Sequence, residues 1–160
     1  MLSARFAPVS RGPAWRRHCR HAGFSAIELL VAMAMVALLA GLAYPSFRDQ
    51  LIRARRVDAV VAIAAAQLAQ ERWRANQASY GSLAAIGVGS VSGAGHYTLL
   101  VSANDAAGYE ILATAVGTQG RDADCRNLRV QVAAGNPSYA SGPDASVGNA
   151  AAVNKRCWSL

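Results

Sequence analysis

From Leu29 to Pro45 the chain runs without one charged side chain, and just before that run it places a single carboxylate, Glu28. As a helix rising ~1.5 Å per residue, Phe24–Tyr44 covers about 30 Å, one hydrocarbon core. An unpartnered carboxylate in that medium costs roughly 3 kcal/mol or more, so a segment that only spanned lipid would omit it. A cleavable secretory signal, with "GLA" before Tyr44 as its cut site, fits no better, because the run exceeds the usual ~7–15 apolar residues and contains an acid. The charge distribution is as uneven as the hydropathy. The formal charge of +7 rests mainly on Arg5, Arg11, Arg16, Arg17 and Arg20, all before Gly23; later positions hold 11 Lys and Arg against 9 Asp and Glu. The whole-chain pI is therefore a poor guide to nucleic-acid binding.

Helical character continues past the span. "FRDQLIRARRVDAVVAIAAAQLAQERWRANQ" contains no Gly or Pro and is rich in strong helix formers. Val57, Val60, Val61, Ala64, Leu68 and Trp73 recur at three- and four-residue steps and predict an apolar stripe, with arginines on the polar faces. One helix is expected from about 25 to 76, loosened at Gly41 and Pro45. A Gly/Ser/Ala-rich loop follows. His96–Ser102, Tyr109–Ala115 and Asn127–Ala133 then read as strands, the first two joined by "ANDAAG". The stretch 135–153, rich in Gly, Asn, Pro and Ser, is expected to be floppy on its own.

Of the three cysteines, Cys19 lies in the basic leader and Cys125 and Cys157 in the C-terminal half. No ligand-spaced partner stands beside either, so no metal site is expected. A disulfide between Cys125 and Cys157 suits an extracytoplasmic domain and contributes roughly 3–4 kcal/mol in the chain-entropy picture. Five arginines before the span and four soon after it leave orientation by positive charge undecided, so the cysteines place the C-terminal region outside the cytoplasm.

"GFSAIE" (Gly23–Glu28), the apolar run and "YPSF" (Tyr44–Phe47) together resemble the type IV pilin family. The resemblance is strong from Arg16 to about Asn76. It implies an α+β pilin fold: a long N-terminal helix, its outer half transmembrane and its inner half packed on an antiparallel sheet of three or four strands, with a disulfide-closed C-terminal region. The expected divisions are 1–23 as a cleaved basic leader, 24–45 as the transmembrane and assembly helix, 46–76 as its amphipathic continuation, and 77–160 as the αβ-loop, sheet and disulfide region. It also implies cleavage between Gly23 and Phe24 by a prepilin peptidase, N-methylation of Phe24, a helix bend at Pro45, and an assembly role for Glu28. A freed ammonium on Phe24 would give the Glu28 of a neighbouring subunit its counter-ion, a register device that strands the charge when subunits are misaligned. The Ala and Gly content of the run permits close helix packing. The Cys157–Trp158 pair near the end looks most like the minor, PilE-like pilins, with Trp158 as a core or loop anchor rather than a receptor contact.

The implied protein is a structural minor subunit of a type IV pilus, not an enzyme. No cofactor is expected, and no Ser/His/Asp grouping or phosphate loop is present; His96 is the one histidine after the leader. Implied partners are other pilin subunits, the prepilin peptidase and N-methyltransferase, and an inner-membrane assembly platform. The implied location is the bacterial inner membrane, domain outward, and then the pilus, serving biogenesis, twitching motility or adhesion. Two alternatives remain. One is a type II secretion pseudopilin; Asp105, Asp122 and Asp124 offer too few oxygens for the calcium loop that would favour it. The other is a DNA-binding minor pilin for competence, in which Arg121, Arg126, Arg129, Lys155 and Arg156 gather around the disulfide. A solvated face is the favoured reading of those five cations.

Overall fold

The computed structural model describes residues 23–158. The cleaved leader expected over 1–23 lies outside them except for Gly23. The described residues divide into two compact units, 23–40 and 41–158.

In the described part of the first unit, helix α1 (Ala26–Arg74) begins. Ser25 and Glu28 stand at the spacing of a capping box, and Glu28 lies in the first turn, where the helix dipole favours a negative charge. Every side chain from Gly23 to Ala40 is exposed. The helix is long and apolar enough to cross a membrane.

In the second unit α1 continues through Pro45 and supplies the floor of an α+β domain. Strands β1 (Tyr97–Ser102), β2 (Gly108–Ala115), β3 (Asn127–Ala133) and β4 (Asn136–Gly142) form an antiparallel sheet in the order β1-β2-β3-β4. A 3-10 turn, Gly117–Arg121, links β2 to β3, and α2 (Ala151–Trp158) follows β4. Pairing keeps alternate residues on one face. Leu99 lies opposite Ala113 and Ala113 opposite Leu128, while Val101 faces Ile111 and Ile111 faces Val130. Tyr97, Ile111, Ala113, Leu128 and Val130 are fully buried, against Ala59, Ile63 and Ala66 of α1. The other face carries Glu110, Leu112, Arg129 and Gln131 in register. At Gly108 a Cβ would sit 2.0 Å from the Val132 carbonyl oxygen, so only glycine fits there.

Two expectations need correction. The buried stripe of α1 is Ala59, Ile63, Ala66 and Gln70. Val57, Val61 and Leu68 are exposed by 60%, 61% and 53%, and Ala64 is exposed too, although Val60 packs against the core. Alanine at 59 and 66 lets the helix approach the sheet closely around Ile63, and Val57, Val61 and Leu68 fall on the opposite side. Gln70 is polar yet fully buried because its Nε2 donates to the Gly81 carbonyl (2.6 Å) and its Oε1 accepts from the Gly81 amide (2.9 Å).

The second correction concerns 135–153, expected to be floppy alone. It holds β4 and the start of α2. Ala134 (φ 50°) and Gly135 (φ 80°) make a two-residue hairpin turn from β3. Pro137 is tolerated because β4 is an edge strand. Asn154 donates to the Tyr139 carbonyl and the Trp158 indole to that of Ala140, so α2 is tied down onto β4. Trp158 is buried edge-on against Tyr139, the expected core anchor. The helix and the three foreseen strands lie within about two residues of the sequence reading.

The loop after α1 is ordered by α1 itself. Asp58 accepts hydrogen bonds from Ser92 Oγ (2.5 Å), the Ala94 amide (3.0 Å) and the His96 amide (3.2 Å). Partial burial pushes the Asp58 carboxyl upward, but these bonds and the nearby His96 outweigh it and hold the carboxyl below its ordinary value. Burial pushes the Tyr97 and Tyr109 hydroxyls up to about 12.

Candidate functional site

The disulfide joins Cys125, just before β3, to Cys157 in α2, with Cα atoms 5.4 Å apart and both residues buried. Asn149 secures the same corner, donating to the Asp124 carbonyl (2.6 Å) and to Ser141 Oγ (3.0 Å).

Beneath this corner α1 meets the 3-10 turn. Arg56 donates from Nε and Nη2 to the two oxygens of Asp122, at 2.6 and 2.8 Å. The two side chains are 13% and 4% exposed, so the fork is largely desolvated. Arg56 Nη1 also reaches the Arg156 carbonyl at 3.3 Å. Gln119, fully buried, donates from Nε2 to the Ile52 carbonyl of α1 (2.9 Å) and to the Tyr97 hydroxyl (3.1 Å).

Around this pair lies a groove of about 240 Å³ lined by Arg53, Arg56, Asp124, Cys125, Val153 and Arg156. An adjoining recess of about 300 Å³ shares Arg53, Arg56 and Asp124, and adds Asp49 and Arg121. Arginines from α1, the 3-10 turn and α2 therefore converge on one surface. Arg53, Arg121 and Arg156 are exposed, and Asp122 is engaged by Arg56. Such a surface can hold phosphates through charge-assisted hydrogen bonds.

Of the five cations read from the sequence, the structure brings Arg121 and Arg156 to this surface. Arg126 stands beside it, its Nε donating to the Gly120 carbonyl at 3.0 Å. Arg129 does not join it: it lies on the outer face of the sheet, 3.6 Å from Glu110. Lys155 is exposed on α2 but does not line the groove. Arg53 and Arg56 were missed as members. Their i, i+3 spacing puts them on one helix face, a signal that is the same for the solvated polar face of any amphipathic helix. The aspartates weighed for calcium have other work. Asp105 accepts from the amides of Ala107 and Gly108 and Asp122 holds Arg56, while Asp124 lines the arginine groove.

A protein-family model described as "Type IV minor pilin ComP, DNA uptake sequence receptor" matches residues 45–129. The chain belongs to this family of type IV minor pilins. No curated protein matches it. The ComP-family match spans the inner part of α1, β1, β2, the 3-10 turn and the start of β3. It thus contains Arg53, Arg56, Arg121, Arg126 and Cys125 and stops before Lys155, Arg156 and Cys157. The ComP-family chain has the long apolar helix, antiparallel sheet and disulfide expected of a type IV pilin. Pilins are structural subunits of a filament rather than a family of enzymes.

Proposed function

We propose that this minor pilin captures DNA for uptake, presenting the arginine groove beside its disulfide to the phosphate backbone while its N-terminal helix holds it in the pilus. The convergence of the exposed Arg53, Arg121 and Arg156 from three separate chain segments carries the reading. The matched family's description as a DNA uptake sequence receptor supports it and favours this role over twitching motility, adhesion or a secretion pseudopilin. Backbone contacts of this kind are sequence-independent and salt-sensitive, the slope of log K on log salt being about −0.9 per phosphate neutralised. Filter binding of the detergent-solubilised full chain tests it. Retention of duplex DNA at low salt is expected to fall about tenfold or more in Arg53→Ala/Arg156→Ala. No retention by the wild type at low salt overturns it.

Assembly follows the pilin pattern in this proposal. The peptidase cuts between Gly23 and Phe24 on the cytoplasmic side of the inner membrane, and Phe24 is methylated. Gly41 and Pro45 let the helix bend, the domain faces outward, and Glu28 pairs with the Phe24 amine of a neighbour as other subunits and the assembly platform bring it into the filament. The Ser25–Glu28 capping-box spacing and the exposed apolar segment around them support this. Intact mass of the membrane-extracted protein checks it: loss of residues 1–23 plus one methyl group is expected, and a start at Tyr44 refutes it.

A further inference from the structure

A second cleft, on a different face of α1 from the arginine groove, has the make-up of a lipid headgroup site. It encloses about 270 Å³, and Tyr44, Phe47, Arg48, Leu51, Arg55 and Thr118 line it. Positions 44, 48, 51 and 55 are spaced to share one side of the helix. Tyr44, Phe47 and Leu51 are 62%, 65% and 40% exposed, large apolar groups facing outward. The Arg48 guanidinium stands 5.7 Å from the Tyr44 ring centroid, and Arg55 Nη1 donates to Thr118 Oγ1 at 3.0 Å. Among the described residues neither arginine forms an ion pair; Arg56 and Arg129 do.

The sequence places this cleft where the uncharged run stops. Tyr44 and Phe47 stand at its end, the depth at which aromatic side chains prefer the membrane–water interface. At ~1.5 Å per residue Arg48 lies about 6 Å further out, within the headgroup layer that separates a ~30 Å hydrocarbon core from a ~40–45 Å bilayer. Helical side chains lean toward the N-terminus, so Arg48 and Arg55 lean back toward that layer. Tyr44 and Phe47 on the hydrocarbon side, the guanidinium groups of Arg48 and Arg55 further out and the Thr118 hydroxyl beside Arg55 complement one kind of molecule.

We infer that this cleft binds the headgroup of an anionic phospholipid, with Arg48 on the phosphate, Arg55 and Thr118 at the outer headgroup, Leu51 between the two arginines, and Tyr44 and Phe47 against the upper acyl chain. A lipid held there would keep the domain seated at the bilayer until the subunit is drawn into a filament. The inference rests on the membrane-anchored reading of the apolar helix.

The test uses the full chain in nanodiscs of phosphatidylethanolamine and phosphatidylglycerol, released into native mass spectrometry. The wild type is expected to retain phosphatidylglycerol in preference to phosphatidylethanolamine. Arg48→Gln/Arg55→Gln is expected to reduce that retention about thirty-fold, from ~1 kcal/mol per arginine at an anionic surface. Arg72→Gln, at the far end of α1, should retain it like the wild type. Circular dichroism and an intact disulfide establish that the double variant is folded. Equal retention by the folded double variant overturns the lipid site while leaving membrane anchoring intact. Failure of the wild type to enter nanodiscs overturns the anchoring and the site together. A photocrosslinker at position 47 that labels a second copy instead of lipid assigns the cleft to subunit contact and overturns the inference as well.

Discussion

The two halves of α1 are built from similar residue types and do opposite things. From Leu29 to Ala40 the helix is Ala, Leu, Val and Met with every side chain exposed. From Ala59 to Gln70 it is again mostly Ala, Val, Ile and Leu, with two Gln, yet one narrow face is sealed against the sheet. In the inner half two alanines, Ile63 and Gln70 are buried while Val57, Val61 and Leu68 are left out, which marks a surface shaped to one partner. The outer half shows no such sorting, as suits a surface whose surroundings are uniform on all sides, whether lipid or other helices. Amphipathicity, and not apolarity, separates the half that belongs to the domain from the half that belongs to its surroundings.

Substitutions along α1 break or sharpen that contrast. Arg56→Ala should cost the most in domain stability, about 3–5 kcal/mol, because it leaves Asp122 buried and unpaired. Urea unfolding followed by near-ultraviolet circular dichroism measures it; a loss under 1 kcal/mol would mean water replaces the guanidinium. Ile63→Ala should cost about 2–4 kcal/mol by the same measurement, from a side chain with no route to solvent. Val61→Ala, two residues away and 61% exposed, should cost less than about 0.5 kcal/mol in the isolated subunit.

Acid should come next. The Asp58 carboxyl is held below the ordinary carboxylate range in the folded protein, so the unfolded chain takes up its proton first as pH falls. Its contribution is complete above the unfolded value and is lost as pH drops through the folded one. Amide exchange of Ala94 and His96 should therefore accelerate below about pH 4, and Asp58→Asn should remove that dependence. Smallest is Glu28→Ala. It should leave domain unfolding unchanged and cleavage nearly intact while impairing incorporation into filaments; normal incorporation would end the register role proposed for Glu28.

Much of this was written locally in the chain. The long helix, three strands and the Cys125–Cys157 pair follow from periodicity, β-branched runs and cysteine placement. The buried stripe did not, because alanine carries little weight in an apolar pattern and Gln70 carries the wrong sign, although both are what close packing at that face requires. Strand β4 was hidden for another reason. "NPSYASG" has little strand propensity of its own and is held by its pairing with β3 and by α2. The arginine groove was half legible. Arg121 and Arg156 flank the cysteines in sequence, but Arg53 and Arg56 reach them only once α1 has docked against the 3-10 turn.

That docking has a mechanical consequence. Gln119 grips a backbone carbonyl of α1 at Ile52, Arg56 forks onto Asp122 one turn later, and the Cys125–Cys157 bond then ties this corner covalently to α2. Tension applied along the helix would enter the domain through these grips and be shared with its last helix, so a fibre of such subunits could be hauled inward with its cargo without stripping the strands from their support.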